Sequence, residues 1–180
     1  MYGPTGVGVL WARGDLLADM PPWQGGGEMI RTVSFAESTW NDPPWRFEAG
    51  TPNISGVIGT SAAVRWLESI GMDAIAAHDA AMTDELVTRL TSIDRVQLVG
   101  TPQHRSGAAS FNVEGMHHAD CGMLLDRHGV AVRTGHHCAE PIMHRLGVSG
   151  TVRASIGCFT TSDDLDAFET ALRRVVEVFG

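Results

Sequence analysis

Apolar positions in the middle of the chain recur at helical spacing. From Ile54 to Ile70 an apolar residue returns every four positions, and Gly71 follows directly. This pattern predicts one long amphipathic helix that ends at the glycine. The same kind of spacing predicts a second helix over about residues 72–92 and a third over residues 119–128.

A further helix is predicted at the C-terminal end of the sequence. Thr161 or Ser162 is the expected N-cap, and Asp163 and Asp164 suit the positive end of the helix dipole. Five apolar residues at helical spacing form its predicted core face: Leu165, Phe168, Leu172, Val175 and Phe179.

Short runs rich in β-branched and small apolar residues predict strands. These runs cover residues 6–11, 96–99, 108–113, 130–133 and 151–155. The stretch 21–53 is rich in Pro, Gly and Trp, which excludes a continuous helix or central strand, and Ile30–Phe35 is expected to form one arm of a hairpin within it. The element order predicts an α/β unit in the second half, whereas strand 6–11 has no sheet of its own to join.

Composition and charge narrow the class of protein. Apolar residues make up 43% and charged residues 19% of the 180 positions, which is typical of a globular chain and excludes a disordered one. The net charge of −8 argues against nucleic-acid binding. No apolar run approaches the length of a transmembrane helix, and the first residues lack a secretory signal pattern. Three cysteines without a recognisable disulfide spacing predict free thiols in the cytoplasm.

All 13 basic residues are arginines, and the chain contains no lysine. The chain therefore cannot supply the amine for a Schiff base.

Residues 133–139, Arg-Thr-Gly-His-His-Cys-Ala, are the sharpest local candidate for chemistry. Positive neighbours favour the thiolate of Cys138, which is its nucleophilic form. A buried, inert cysteine is the alternative from the residues alone. A metal site is a further alternative, because His136, His137, Cys138 and His144 are ligand types, although their spacing matches no standard zinc pattern.

Two arginines and one helix start are candidates for anion binding. Arg153 lies in an apolar strand and needs an anionic partner, which is either a structural carboxylate or a substrate carboxylate. Arg133 raises the same question. Gly50 and Thr51 precede the first long helix, where Thr51 is a plausible N-cap, with Pro52 at an early helical position, and the pair is also a possible anion site.

Five segments, in this order, resemble one enzyme family. They are residues 2–8, 21–30, 45–53, 133–139 and 153–155. Together they resemble the C-terminal part of group II (SUF-type) cysteine desulfurases and the related selenocysteine lyases, which are class V aminotransferases of the pyridoxal phosphate (PLP) fold type I. The resemblance implies an α/β fold in which residues 1–71 are the tail of the large PLP-binding domain and residues 72–180 are the small domain.

The resemblance also implies roles for individual residues. Cys138 matches the cysteine that takes sulfur from the substrate as a persulfide, Arg153 the arginine that binds the substrate carboxylate, and Arg133 an active-site arginine near that cysteine. Thr51, with Gly50, matches the segment that reaches the PLP phosphate of the other subunit in a homodimer. The implied partners are L-cysteine or L-selenocysteine, a second subunit and a sulfur acceptor that serves iron–sulfur cluster or related synthesis.

One departure from the family concerns the cofactor lysine. In the family a His-Lys pair precedes the Tyr-Gly-Pro-Thr-Gly motif by one residue, and Met1 occupies that intervening position. We therefore expect these residues to be the C-terminal portion of a longer enzyme and the chain alone to be inactive. The alternatives are one half of a split desulfurase and a PLP-free sulfur relay or regulatory partner. In each case the large-domain remnant is expected to expose apolar surface, including some of its tryptophans.

Overall fold

The computed structural model describes residues 1–178 and divides the chain into two compact units, Met1–Ile70 and Gly71–Gly180. Both helices and strands are present in each. Within the described residues, no helix combines the length and apolar character needed to cross a membrane. Phe179, predicted on the last helix face, lies outside the described residues.

The C-terminal unit is built on a four-stranded antiparallel sheet. Its strands are β3 (Val96–Leu98), β4 (Ala108–Val113), β5 (Arg133–Gly135) and β6 (Thr151–Ser155), in the order β3-β4-β6-β5. The predicted strands at 96–99, 108–113 and 151–155 are confirmed. The strand predicted at 130–133 is shifted, because pairing with β6 begins only at Arg133.

Four helices complete this unit. They are α3 (Met72–Thr91), α4 (His118–Arg127), α5 (Glu140–Leu146) and α6 (Ser162–Val178). The three long ones lie where the apolar spacing predicts them. The N-cap of α6 is Thr161: its N–H donates to the Asp164 carboxylate at 2.8 Å, and its hydroxyl accepts from the Asp164 N–H at 3.3 Å. These reciprocal bonds form a capping box.

The two faces of this sheet differ in chemistry. Side chains alternate along each strand, so Phe111 of β4 and the directly opposed Val152 of β6 share one face, and both are fully buried. Helices α3, α4 and α6 cover that face with apolar side chains, among them Leu90, Leu125 and Leu172. The opposite face carries polar residues, and it is this face that holds the candidate site.

The N-terminal unit contains a two-stranded hairpin and two helices. The hairpin joins β1 (Ile30–Val33) to β2 (Ser38–Trp40), as predicted for this stretch. Helix α1 (Gly14–Asp19) is not predicted from the sequence, since six residues are too few to show a period. Arg46 ties α1 to the loop after the hairpin, because its guanidinium donates to the Ala18 carbonyl at 2.6 Å and to the Asn41 carbonyl at 3.1 Å.

Two sequence predictions for this unit are wrong. Residues 6–11 form no strand, because a strand needs a hydrogen-bonded neighbour and the structure pairs none with them. Helix α2 (Ile54–Ile70) covers the range that the apolar spacing predicts, but its predicted N-cap is wrong. The N-cap is Asn53, whose side-chain oxygen accepts from the Gly56 N–H at 3.0 Å, so neither Thr51 nor Pro52 belongs to the helix start.

The N-terminal unit exposes large apolar side chains, as the sequence predicts. The exposed fraction is 84% for Trp11 and 90% for Trp23, and Trp45 and Phe35 are also exposed. An exposed apolar surface of this extent is typical of an interaction surface.

Candidate functional site

Two arginines face each other on the polar side of the sheet. Arg133 on β5 lies directly opposite Arg153 on β6. Residues opposed in this way point to the same face, and so does Thr151, two positions before Arg153. The Arg153 Nε is buried and has no hydrogen-bond partner in the structure. Two like charges side by side, one with a buried donor that lacks a partner, make this face a candidate site for an anion.

A tight turn after β5 presents Cys138. The Ala139 N–H donates to the His136 carbonyl at 2.9 Å, which closes the turn. Its two central residues, His137 and Cys138, have φ values of +55° and +60°, as in a type I′ turn. For residues other than glycine this left-handed backbone costs about 1–3 kcal/mol each, so surrounding contacts must hold the turn in place. Pro141 then lies in the first turn of α5.

Arg133 is the hydrogen-bond donor to the Cys138 thiol. Its Nη2 lies 3.2 Å from Cys138 Sγ, and the cysteine is exposed. This contact places a positive charge that does not change with pH next to the sulfur. The sequence leaves open whether His136 or His137 activates the cysteine, and the structure gives this contact to an arginine instead.

His137 is turned towards the sheet. Its Nε2 lies 2.8 Å from the Thr151 hydroxyl, and its Nδ1 is buried without a partner. Burial lowers the pKa of His137, and the nearby charge of Arg153 lowers it further. The ring is therefore neutral at physiological pH and is not a cationic partner for the thiolate.

The other two cysteines do not share this environment. Cys121 on α4 is buried in the core, and burial raises the pKa of its thiol to about 11. Cys158 is half-buried. Cys138 is thus the exposed one, and it is also the one beside the arginine pair.

Within residues 1–178, no three His, Cys, Asp or Glu side chains are arranged to hold a metal ion. His117 is instead the N-cap of α4, where its Nδ1 accepts from the Ala119 N–H at 3.3 Å. His118 is half-buried rather than solvated as its place at a helix N-terminus suggests, and burial lowers its pKa.

Gly50 and Thr51, the candidates for phosphate binding, belong to the N-terminal unit. Gly50 has φ +79°, and its N–H donates to the Gly27 carbonyl at 2.9 Å. Thr51 is exposed. They and the cysteine turn lie in different units.

Comparison with known proteins identifies the family. The aminotransferase class-V family model matches residues 1–168. The fold and the cysteine turn thus define a member of this class, and the chain belongs to the aminotransferase class-V family.

The similar proteins within that class are cysteine desulfurases. The chain is 45% identical to a cysteine desulfurase of Dickeya dadantii over 182 aligned residues and 47% identical to a probable cysteine desulfurase of Xylella fastidiosa over 180. Each alignment includes the whole chain but only 44% and 43% of the relative's length. The chain therefore spans less than half the length of the curated relatives it matches.

Solved structures agree with this assignment. The chain matches the cysteine desulfurase CsdA from Escherichia coli with a TM-score of 0.92 and 39% identity, over 98% of this chain and 44% of that one. A cysteine desulfurase from Thermococcus onnurineus gives the same TM-score at 38% identity and the same coverage. The family is PLP-dependent, as the resemblance implies.

Sequence reasoning missed one residue of the site, Thr151. In the sequence it is the first residue of a predicted strand, and nothing there indicates contact with His137, 14 positions earlier. The register of β5 on β6, which brings the two together, is not encoded in any local pattern.

Proposed function

We propose that this chain supplies the cysteine turn and the carboxylate-binding arginines of a PLP-dependent cysteine desulfurase that acts on L-cysteine or L-selenocysteine. One observation carries the proposal: the exposed Cys138 thiol accepts a hydrogen bond from Arg133, which lies directly opposite Arg153. A nucleophilic thiol thus lies next to a site for an anion, and L-cysteine has both a sulfur and a carboxylate, with selenium in place of the sulfur in L-selenocysteine.

The proposed reaction uses these residues in two ways. Arg153 binds the substrate carboxylate through its guanidinium group. The Cys138 thiolate attacks the substrate sulfur, so that an S–S bond forms and the substrate's C–S bond breaks. The electron pair of that bond stays on the carbon, which takes up a proton and leaves as alanine. PLP, when bound, supplies the electron sink that makes this bond labile.

The chain fits PLP only in part. The exposed Thr51, which follows the half-buried, left-handed Gly50, fits a phosphate contact. Covalent attachment does not fit, because the chain has no lysine. The amine must therefore come from residues outside this chain, and we propose that the chain alone is inactive.

The proposed architecture assigns the two parts of the chain to the two domains of the enzyme. Residues 1–71 would be the tail of the large PLP-binding domain and residues 72–180 the small domain. In the proposed cytoplasmic homodimer, Gly50 and Thr51 would reach the cofactor phosphate of the other subunit. The exposure of Cys138 supports transfer of its sulfur to an acceptor protein.

The test compares the chain alone with a lysine-bearing fusion. The purified chain is incubated with PLP and L-cysteine, and alanine is measured; none is expected. The N-terminal part of the Xylella fastidiosa relative, carrying its lysine, is then fused before residue 1. This fusion is expected to release alanine and to carry one additional sulfur on Cys138, located by peptide mass spectrometry.

Two variants of the fusion complete the test. Cys138→Ser is expected to lose the additional sulfur, whereas Cys121→Ser, the matched control, is expected to keep it. Alanine release by the chain alone would contradict the predicted inactivity. If a fusion that binds PLP carries sulfur on a cysteine other than Cys138, the assigned role of Cys138 is wrong.

A further inference from the structure

Thr151 has an unusual position for a polar residue. It is fully buried at the start of β6, on the polar face of the sheet and directly opposite Gly135, the last residue of β5. Its hydroxyl lies 2.8 Å from His137 Nε2. A buried hydroxyl needs such a partner, and here the partner is the residue that directly precedes Cys138.

The cysteine turn needs support of this kind. Gly135, with φ +104°, turns the chain away from β5, and His137 and Cys138 follow with left-handed backbones. One backbone hydrogen bond, from Ala139 to His136, closes the turn. That bond fixes the two ends of the turn but does not join it to the neighbouring strand. The contact between His137 and Thr151 does.

The same contact sets the distance between Cys138 and Arg133. Arg133 is held on β5, and β5 is paired with β6. The His137 ring joins the turn to β6 as well. Both partners of the 3.2 Å contact between Arg133 and Cys138 Sγ are therefore held against the same strand. Release of the ring would free the turn to move relative to the guanidinium.

We propose that Thr151 is a positioning residue, which holds His137 and thereby keeps the Cys138 sulfur within hydrogen-bond reach of Arg133. The proposal deepens the proposed function, since it rests on Cys138 as the reactive thiol. Its direct consequence concerns the thiol alone: the hydrogen bond from Arg133 to Cys138 depends on a hydroxyl that takes no part in it.

The test measures how fast iodoacetamide alkylates Cys138 in the 180-residue chain as a function of pH, with the modified peptides quantified by mass spectrometry. Thr151→Val keeps the shape of the side chain and removes the hydroxyl, whereas Thr151→Ser keeps the hydroxyl. The valine variant is expected to shift the midpoint of the pH profile upward and to slow alkylation at neutral pH roughly threefold to tenfold. The serine variant is expected to stay close to the unchanged chain.

A double-mutant cycle distinguishes a positioning effect that acts through Arg133 from a general loss of structure. If Thr151 acts through Arg133, then Thr151→Val is expected to add little to the slowing that Arg133→Gln causes by itself. Additive slowing would overturn the proposal, and so would an unchanged pH midpoint in Thr151→Val. Alkylation of Cys121, which is buried, reports whether a variant has unfolded.

If Thr151→Val does unfold, His137→Gln replaces it, and the same upward shift of the midpoint is expected because the ring is absent. An unchanged midpoint in that variant overturns the proposal. The readout does not depend on alanine release. If the pH midpoint of alkylation does not shift but the fusion still carries sulfur on Cys138, the positioning role alone is rejected. If the midpoint shifts clearly but the fusion carries no sulfur on Cys138, the proposed function is rejected.

Discussion

At the scale of residues, the groups that carry positive charge in the candidate site differ from the groups that gain or lose a proton near neutral pH. The cationic groups beside Cys138 and the sheet are arginines, whose charge does not change with pH, and the histidine next to the cysteine is held neutral. The two His residues whose pKa values are lowered, His118 and His137, are instead part of how this unit is packed. We therefore expect their protonation to change the free energy of unfolding.

The free energy of unfolding is expected to fall as the pH is lowered from about 7.5 to about 5.5. Burial lowers the pKa of His118 and His137 in the folded state, so the unfolded chain binds protons first when the pH falls through the ordinary histidine pKa of 6.5. Above that pH both states are neutral, and this contribution vanishes. Urea unfolding at the two pH values measures the difference.

His118→Gln is expected to reduce the pH dependence of unfolding. The matched control is His128→Gln, since His128 is exposed at the end of α4. Equal pH dependence in the His118 variant and the unchanged chain would show that the packing of His118 does not restrict its protonation.

At the scale of elements, the sequence predicts helices well and strand pairing less well. Helices α2, α3 and α6 lie where the apolar spacing predicts them. The apolar faces of α3 and α6 pack into the core, whereas the predicted stripe of α2, including Ile54, Ile58 and Trp66, is exposed. The shift of β5 to Arg133–Gly135 could not be predicted, because its limits depend on which β6 residues it meets. The site shares this property: Cys138, Arg133 and Arg153 can be named from the sequence, but their contacts depend on that pairing.

The packing of α4 against β5 is expected to depend on Gly122. A Cβ atom at this position would overlap the Thr134 methyl group, which belongs to a short β-branched side chain with little freedom to move. Gly122→Ala is therefore expected to destabilise the C-terminal unit by about 1–3 kcal/mol, despite the better helix propensity of alanine. Urea unfolding tests this.

The matched control for Gly122→Ala is Met123→Ala, since Met123 is the next residue of α4 and is exposed. Its unfolding free energy is expected to change by less than about 0.5 kcal/mol. A stabilised Gly122→Ala protein would show that β5 can move away from the helix at little cost.

At the scale of the whole molecule, the two units differ in how much of their own apolar surface they bury. The C-terminal unit encloses a core between a sheet and three helices. The N-terminal unit has a two-stranded hairpin as its sheet and leaves tryptophans exposed. A lone hairpin is at best marginally stable in water, so this unit depends on further contacts.

We expect residues 71–180 to fold by themselves and to remain monomeric, whereas the 180-residue chain associates. The difference arises from the exposed apolar side chains of the N-terminal unit, such as Trp11 and Trp23. Light scattering at matched concentrations measures it, and a cooperative urea transition checks that the fragment is folded. A monomeric full chain at moderate concentration would contradict the expectation.

The place of β5 in the sheet has a consequence for motion. β5 lies at the edge, is three residues long and is hydrogen-bonded on one side to β6, whereas β4 and β6 have neighbours on both sides. Its amide hydrogens should therefore exchange with solvent through local opening, at a lower free energy than those of the central pair. The strand that leads to the cysteine can thus detach while the core stays closed, which would let the sulfur travel without unfolding the unit that carries it.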